Sequence, residues 1–369
     1  MKITFLVPTL EAGKDGVADY TLELAQECQR QGHDVAAIGF HDAFAQEPLL
    51  VNEPFQILRL PQSIPWVQRL EQIRKFRSSG VKSDFVSLQF VPYSFHPKGL
   101  VMGWERGLSD AIGGTPSHVM FHELWLGTAL SSPWKHRLLG PIQRHFILRL
   151  LRRLKPAVVS TSNQIYAQIL RRSGVPAGVL PLFGNIPVQP RDDSFAPIQS
   201  IPNRAECWLI GFFGAIHPGW DPEPLFSELE AMGRPIVFVQ IGRMSPGQEM
   251  WTDWETRYGN RFQFLRVGEQ SRETISQWLQ HLDFGVTTSP VSLVEKSGTV
   301  AAMREHGLPV IVTRTAKLFA FEEEPSSGDG LIVFGKRFRE QLLGVSRKNP
   351  AAGLSRIAKQ FIRTLESAR

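Results

Sequence analysis

Short apolar runs, each closed by glycine, proline or polar residues, alternate along this chain with longer stretches whose apolar positions return every third or fourth residue. Lys2–Val7, Val35–Phe40, Phe55–Leu60, Phe85–Val91, His118–His122 and Ala157–Thr161 are runs of the first kind. Gly16–Gln31, Trp66–Ser79, Trp134–Leu154 and Ser162–Ser173 are of the second. The runs predict strands and the periodic stretches predict helices. Several strands are apolar throughout rather than alternating, which fits a parallel sheet covered on both faces. Val179–Leu182 would be the last strand of this half.

The pattern then breaks. Val188 to Asn203 is rich in proline and polar residues, and 188–205 reads as a linker. Alternation restarts at Trp208–Phe213 and continues through Ile236–Ile241, Phe262–Val267, Phe284–Thr287 and Val310–Thr313. Helices are expected at Glu223–Met232, Gln248–Tyr258, Arg272–His281 and Thr299–His306. The expected fold class is α/β, with two doubly wound, Rossmann-like domains over 1–187 and 206–349. Residues 350–369 read as a helix that crosses back to the first domain. Ligands of doubly wound sheets sit beyond the carboxyl ends of the strands, so the expected site is a central cleft faced by two such edges.

A chain of 369 residues has room for two cores, and its 42% apolar and 21% charged residues are ordinary for a globular protein. No apolar run approaches the about 20 residues that span a bilayer. Met1–Pro8 reads as a first strand rather than a secretion signal. Cys28 and Cys207 are the only cysteines, which excludes a disulfide framework and a cysteine-rich metal site and points to the cytoplasm. The net charge is +6, and it is unevenly placed. From Leu124 to Pro190 there is no Asp or Glu, yet the span holds Lys135, Arg137, Arg144, Arg149, Arg152, Arg153, Lys155, Arg171 and Arg172. Candidate partners for that potential are an anionic membrane surface, contacted peripherally from the inner face through 134–155, or a phosphorylated substrate; nucleic acid is disfavoured because no binding motif accompanies the charge. A charged helix face that simply meets water is the plainer reading.

Candidate chemistry gathers at Glu295-Lys-Ser-Gly-Thr299, where a polar loop enters a helix. Helix N-termini present unpaired N–H groups, and Lys296, Ser297, Gly298 and Thr299 beside them suit a phosphate. Glu295 suits sugar hydroxyls; a simple helix cap is the competing reading. In the first half, Gly13 and Gly16 form the first strand-to-helix turn, and His122 with Glu123 stands at a strand end. The turn's spacing fits neither a dinucleotide fingerprint nor a P-loop. Tyr93, Trp125, Phe90 and Phe95 would line an acceptor wall or belong to the core. His217 and Trp220 would stack on a ligand or pack their loop.

Gly16-Val-Ala-Asp-Tyr through Gly32-His-Asp-Val35, together with Glu295 through Pro309, resembles the family-4-type glycosyltransferases of the GT-B fold. The resemblance implies transfer of a hexosyl group from a nucleotide-diphosphate sugar to a hydroxyl on a glycan, a lipid-linked or a small-molecule acceptor, with retention at the anomeric carbon. It implies that His122 lies near the transferred sugar and that Glu295 contacts sugar hydroxyls. It places Gly16, Gly214, Gly298 and Thr299 around the diphosphate, and Val17, Asp19, Glu123, Tyr93 and Trp125 on the acceptor side. The nucleotide sugar would be a co-substrate, with no further cofactor. No Asp-x-Asp sequence is present, so no metal is expected. Two departures stand out. Met303 occupies the place of the family's second glutamate, with Glu305 close by but out of register, and Gly214–Asp221 lacks the family's Arg and Lys. Lys296 and Arg243 are the expected replacements for that positive charge. A sugar-nucleotide epimerase or hydrolase and a non-catalytic sugar- or nucleotide-binding protein are the alternatives.

Overall fold

The computed structural model describes residues 1–78, 83–243, 247–322 and 328–369, so the last residue of the helix expected over Trp66–Ser79 lies outside them. The chain divides into unit 1, Met1–Pro181 with Leu354–Arg369, and unit 2, Leu182–Gly353.

Unit 1 is built on strands β1 (Lys2–Val7), β2 (Asp34–Asp42), β3 (Leu49–Val51), β4 (Gln56–Pro61), β5 (Phe85–Phe90), β6 (Ser117–Phe121), β7 (Val158–Thr161) and β8 (Gly178–Val179). Their order is β3-β4-β2-β1-β5-β6-β7-β8, parallel except where β3 runs against β4. Every residue of β5 and β6, and all of β1 after Lys2, is buried. Helices α1 (Gly16–Arg30), α2 (Trp66–Ser78), α3 (Trp104–Ile112), α4 (Trp134–Leu154) and α5 (Gln164–Arg172) connect them. Two of these start on side-chain caps. Asp15 accepts from the N–H of Val17 and Ala18 at 2.8 and 2.9 Å, and Asn163 accepts from that of Tyr166 at 2.8 Å.

In unit 2 the strands are β9 (Trp208–Phe213), β10 (Ile236–Ile241), β11 (Gln263–Gly268), β12 (Phe284–Pro290), β13 (Val310–Arg314) and β14 (Leu331–Val333). They pair in the order β11-β10-β9-β12-β13-β14, all parallel. Its helices are α6 (Ala196–Gln199), α7 (Glu223–Glu230), α8 (Gln248–Tyr258), α9 (Arg272–His281), α10 (Gly298–Glu305) and α11 (Phe338–Gly344). One apolar core centres on Phe226, Phe238, Trp251 and Trp254, and another on Val239, Trp278, Leu279 and Met303. The stretch expected to be a linker is ordered on unit 2. Gln189 N–H donates to Ser276 Oγ at 3.0 Å, Arg191 Nη1 to the Gln280 carbonyl at 2.7 Å, and Asp192 N–H to Gln277 Oε1 at 2.9 Å. Its prolines cannot donate to a ladder, yet its other polar groups find partners on α9.

The last helix, α12 (Leu354–Glu366), belongs to unit 1. Its buried residues Ile357, Ala358, Phe361, Ile362 and Leu365 form one stripe at helical spacing. Phe361 stacks on Phe5 of β1 with ring centroids 5.7 Å apart, and its ring lies 5.3 Å from that of His118 on β6. Gln360 Nε2 donates to the Val179 carbonyl at 3.0 Å, and Gln31 Nε2 to that of Ser355 at 3.1 Å. Replacing Phe361 by alanine should therefore destabilise unit 1 by about 3–5 kcal/mol, the usual cost of emptying an aromatic core position. Urea unfolding measures this, and a loss below about 1 kcal/mol would remove α12 from that core.

Candidate functional site

Because parallel strands leave their carboxyl ends to loops, those ends hold the expected residues. In unit 2 the carboxyl ends of β9 and β10 turn sharply at Gly214 and Gly242, with φ of 83° and 86°. Both positions demand the left-handed region that glycine enters without strain. Gly214 N–H donates to the Ile241 carbonyl at 3.0 Å, and Gly242 N–H to that of Gly268 at 2.7 Å. A Cβ on Gly214 would stand 3.0 Å from Thr299 Cγ2, so the β9 loop lies directly against the start of α10.

That start is preceded by a tight 3-10 turn over Val291–Lys296. Ser297 is the cap; its Oγ accepts from Val300 N–H at 3.3 Å and stands 2.9 Å from Thr299 Oγ1. Apart from its chain neighbours and its own helix backbone, no atom of the described residues lies within 4 Å of a Cβ built on Gly298. Glu295 is exposed and Lys296 half-buried. The cap and the open backbone above Gly298 therefore coexist, and the two readings of this loop do not compete.

Arg243 is corrected. Its guanidinium makes a two-pronged pair with Glu269, Nε to Oε1 and Nη2 to Oε2 both at 3.0 Å, on the exposed rim. Its charge is already matched, which makes it a poor replacement for the missing Arg and Lys. Arg314, which sequence reasoning passed over, ends β13 instead. Its Nη1 donates to the Thr288 carbonyl at 3.4 Å. Thr288 Oγ1 in turn accepts from His217 N–H at 2.9 Å. Burial, and then the Arg314 guanidinium, hold the His217 imidazole below its ordinary value. The available signal was a cation as the last residue of a buried parallel strand.

Two further positions face the core. Trp220 is buried, its ring 5.7 Å from Phe212 and 5.3 Å from Trp254, so it packs the core rather than a ligand. Met303 is fully buried, and its sulfur fills the space above Gly285. A carboxylate there would be desolvated, so position 303 faces the core rather than a ligand. Glu305 is engaged too, accepting from Gly184 N–H at 2.9 Å.

In unit 1 the first turn is closed from within. Asp19 Oδ1 accepts from Gly13 N–H at 2.8 Å, and Asp15 occupies the N–H groups of Val17 and Ala18. A carboxylate already fills the positive end of α1, which disfavours a phosphate there. The backbone at Gly16 is exposed, with no atom within 4 Å of a Cβ built on it, and Val17 is half-buried.

His122 follows β6, and its N–H donates to the Phe90 carbonyl at 3.1 Å. Its ring lies edge-on to Tyr20 at 5.1 Å. Nε2 stands 2.8 Å from Gln89 Oε1. A carbonyl oxygen only accepts, so Nε2 carries the hydrogen. Gln89 Nε2 donates to Ser87 Oγ at 2.8 Å, and that hydroxyl lies 2.9 Å from His118 Nδ1. A buried polar chain thus runs His122–Gln89–Ser87–His118 through the sheet, and its inner members were invisible in an apolar run. Glu123 is half-buried beside it and Trp125 is buried. Tyr93 is exposed at the edge, its hydroxyl 3.4 Å from Gln143 Nε2. Gln143, fully buried on α4, also donates to the Lys98 carbonyl at 2.7 Å and accepts from Leu126 N–H at 2.8 Å, so it braces the loop that follows His122. Phe90 and Phe95 are core residues, packed with Phe40 and Phe121 rather than forming an acceptor wall. Among the described residues no group of His, Cys, Asp and Glu converges as a metal-holding cluster.

Residues 15–185 match the family described as a glycosyl transferase 4-like domain. Comparison with curated proteins gives no match. Among solved structures, Alr3699/HepE of Anabaena in complex with UDP and glucose is similar, at a TM-score of 0.58 and 16% identity, over 100% of both chains. The lipopolysaccharide outer core galactosyltransferase WaaB is similar at 0.57 and 11%, over 100% of this chain and 99% of that one. A UDP-N-acetylglucosamine 2-epimerase follows at 0.53 and 13%, over 100% and 97%. At such identities these likenesses speak for the fold. Fold and edge chemistry together define an α/β protein of two Rossmann-like units. Residues 15–185 match the glycosyl transferase 4-like domain, and the whole chain has the GT-B fold.

His118 makes one property of this arrangement measurable. Burial holds its imidazole down from 6.5 to about 3. The unfolded chain therefore takes up this proton first, and the stability that His118 contributes is complete above its unfolded value and is lost as pH falls toward the folded one. Acidification from about pH 6.5 to 5 should cost about 2 kcal/mol through this group. His118→Gln should show a correspondingly shallower acid limb in urea midpoints, and an unchanged slope would mean that His118 is charged in the folded state.

Proposed function

We propose that the protein transfers a sugar from a uridine-diphosphate sugar to an acceptor hydroxyl, with retention at the anomeric carbon and without a metal. The donor is assigned to the carboxyl edge of unit 2 and the acceptor to that of unit 1. The observation that carries the reading is the carboxyl edge of β9, β12 and β13, where the open N-terminus of α10 at Gly298 meets the Gly214 loop and Arg314 ends β13. Uridine is favoured because Alr3699/HepE holds UDP with glucose.

In this reading the diphosphate takes the free N–H groups at Gly298 and Thr299, with Lys296 and Arg314 supplying positive charge as the bond from the anomeric carbon to the phosphate oxygen breaks. Glu295 accepts from the sugar hydroxyls. The acceptor oxygen bonds to the anomeric carbon on the face the phosphate leaves, and its proton passes to the leaving phosphate. His122 orients the sugar through the ring that Gln89 holds in one tautomer. The acceptor is a hydroxyl of a glycan, a lipid-linked or a small molecule. The epimerase likeness keeps a second reading: donor consumed with no acceptor present would favour it.

Thermal shift against UDP, GDP, ADP and their sugar conjugates tests the donor, since binding to the native state alone raises its melting temperature. UDP should give the largest shift. Arg314→Ala and Lys296→Ala should each weaken UDP binding by about ten- to hundredfold, the loss of one charged hydrogen bond. Arg243→Ala should leave it within about twofold, since its charge is already paired on the surface. Unchanged binding in the first two would refute the assignment of the cations. Gln89→Leu should lower kcat by at least about tenfold with donor binding retained, as expected for a group that acts through His122. Product of inverted configuration, read by NMR, would overturn retention.

A further inference from the structure

We propose that helix α4 is a docking surface for an anionic phospholipid bilayer. Its buried face consists of Gly140, Gln143, Ile147, Leu150 and Leu151. On the outward side Trp134, Leu138 and Ile142 are 67%, 64% and 49% exposed. They are spaced four apart, so they stack into one stripe along the helix. Leu130, in the loop before it, is 52% exposed as well. So much large apolar surface on consecutive turns is costly to leave in water.

The charges around the stripe select the occupant. Lys135, Arg144, Arg152, Arg153 and Lys155 are exposed along the helix, and Lys135 Nζ sits 5.8 Å from the Trp134 ring. Arg149 is spent on Glu105 at 3.2 Å, and Arg137 holds the Leu130 and Ser132 carbonyls. With no acid between Leu124 and Pro190, nothing in the segment itself opposes approach to an anionic surface. An apolar stripe bearing a tryptophan and flanked by cations lies in the plane of the headgroups, its apolar side chains in the acyl boundary and its cations at the phosphates. Among the described residues no helix is long and apolar enough to cross a membrane, so the contact is peripheral.

The end of the same helix adds a second feature. A cavity of about 550 Å³ lies between its last turn and residues 173–176, with Leu148, Leu151, Val159 and Val175 among its apolar walls and Arg152 and Lys155 among its lining. Apolar walls beside two exposed cations suit one acyl chain and the phosphate of its headgroup. The surface is separate from the donor edge assigned to unit 2, since all of these residues belong to unit 1.

Co-sedimentation of the whole protein with vesicles of phosphatidylcholine, alone or with about 30 mol% phosphatidylglycerol, tests the proposal. Binding is expected only to the anionic vesicles and should weaken at about 0.5 M salt. Trp134→Ser with Leu138→Ser should lower the affinity by about tenfold or more with the UDP thermal shift intact, and Arg152→Glu with Lys155→Glu should do the same. Lipids brominated in the acyl chain should quench tryptophan emission, and Trp134→Phe should remove that quenching while binding persists. Equal binding to neutral vesicles, no binding to either, or full affinity in the Trp134/Leu138 variant would overturn it; the last would leave only a cationic surface for an acidic macromolecule.

Discussion

Burial of a parallel sheet on both faces is the constraint from which the rest of this protein follows. With helices over both sides of β1, β5, β6 and β10, polar side chains within those strands have no access to water. Chemistry is displaced to the carboxyl ends, where loops begin and backbone groups are unpaired. In unit 2 that displacement explains why the turns at Gly214 and Gly242 are glycines, why α10 starts on a serine cap, and why Arg314 is the last residue of its strand.

Unit 1 carries a connected exception to this, and at a cost. Ser87, Gln89 and His118 lie inside the sheet, and His118 Nε2 is buried without a hydrogen-bond partner. A buried polar atom left unmatched costs about 1–3 kcal/mol. The compensation is directional: Gln89 donates its amide to Ser87 Oγ and turns its carbonyl to His122 Nε2, which fixes the nitrogen of His122 that carries its hydrogen. A purely apolar strand pair would be more stable and would leave that ring free to choose.

The layout of strands and helices was largely readable, because apolar runs and helical periodicity report burial directly. Trp134–Leu154, Trp208–Phe213 and Ile236–Ile241 have the bounds expected of them. The element α3 was missed: Gly103, Gly107, Gly113 and Gly114 read as loop, yet Gly107 is there because the Trp66 indole lies against it. The strand β3 was missed because three residues on an exposed edge carry no burial pattern. The glycine turns, His122 and the start of α10 lie at the strand ends where the sequence placed them. The pairing of Arg243 with Glu269, the contact of Arg314 with Thr288 and the chain behind His122 were not legible, since each depends on side chains that meet only after folding. For Trp220, Phe90 and Phe95 the sequence left a ligand contact and the core both open, and burial decides for the core.

The crossing of α12 back onto unit 1 has a temporal consequence. The surface of Phe5 on β1 is covered by Phe361 on α12, which is made only after the whole of unit 2. A ribosome must complete unit 2 before the N-terminal sheet can bury its final face. During synthesis that sheet waits with an open seam, and unit 2, whose residues are contiguous, is the part able to finish first. A product truncated before α12 would carry unit 2 intact and unit 1 with part of its interior exposed, so α12 acts as a seal that arrives late in synthesis.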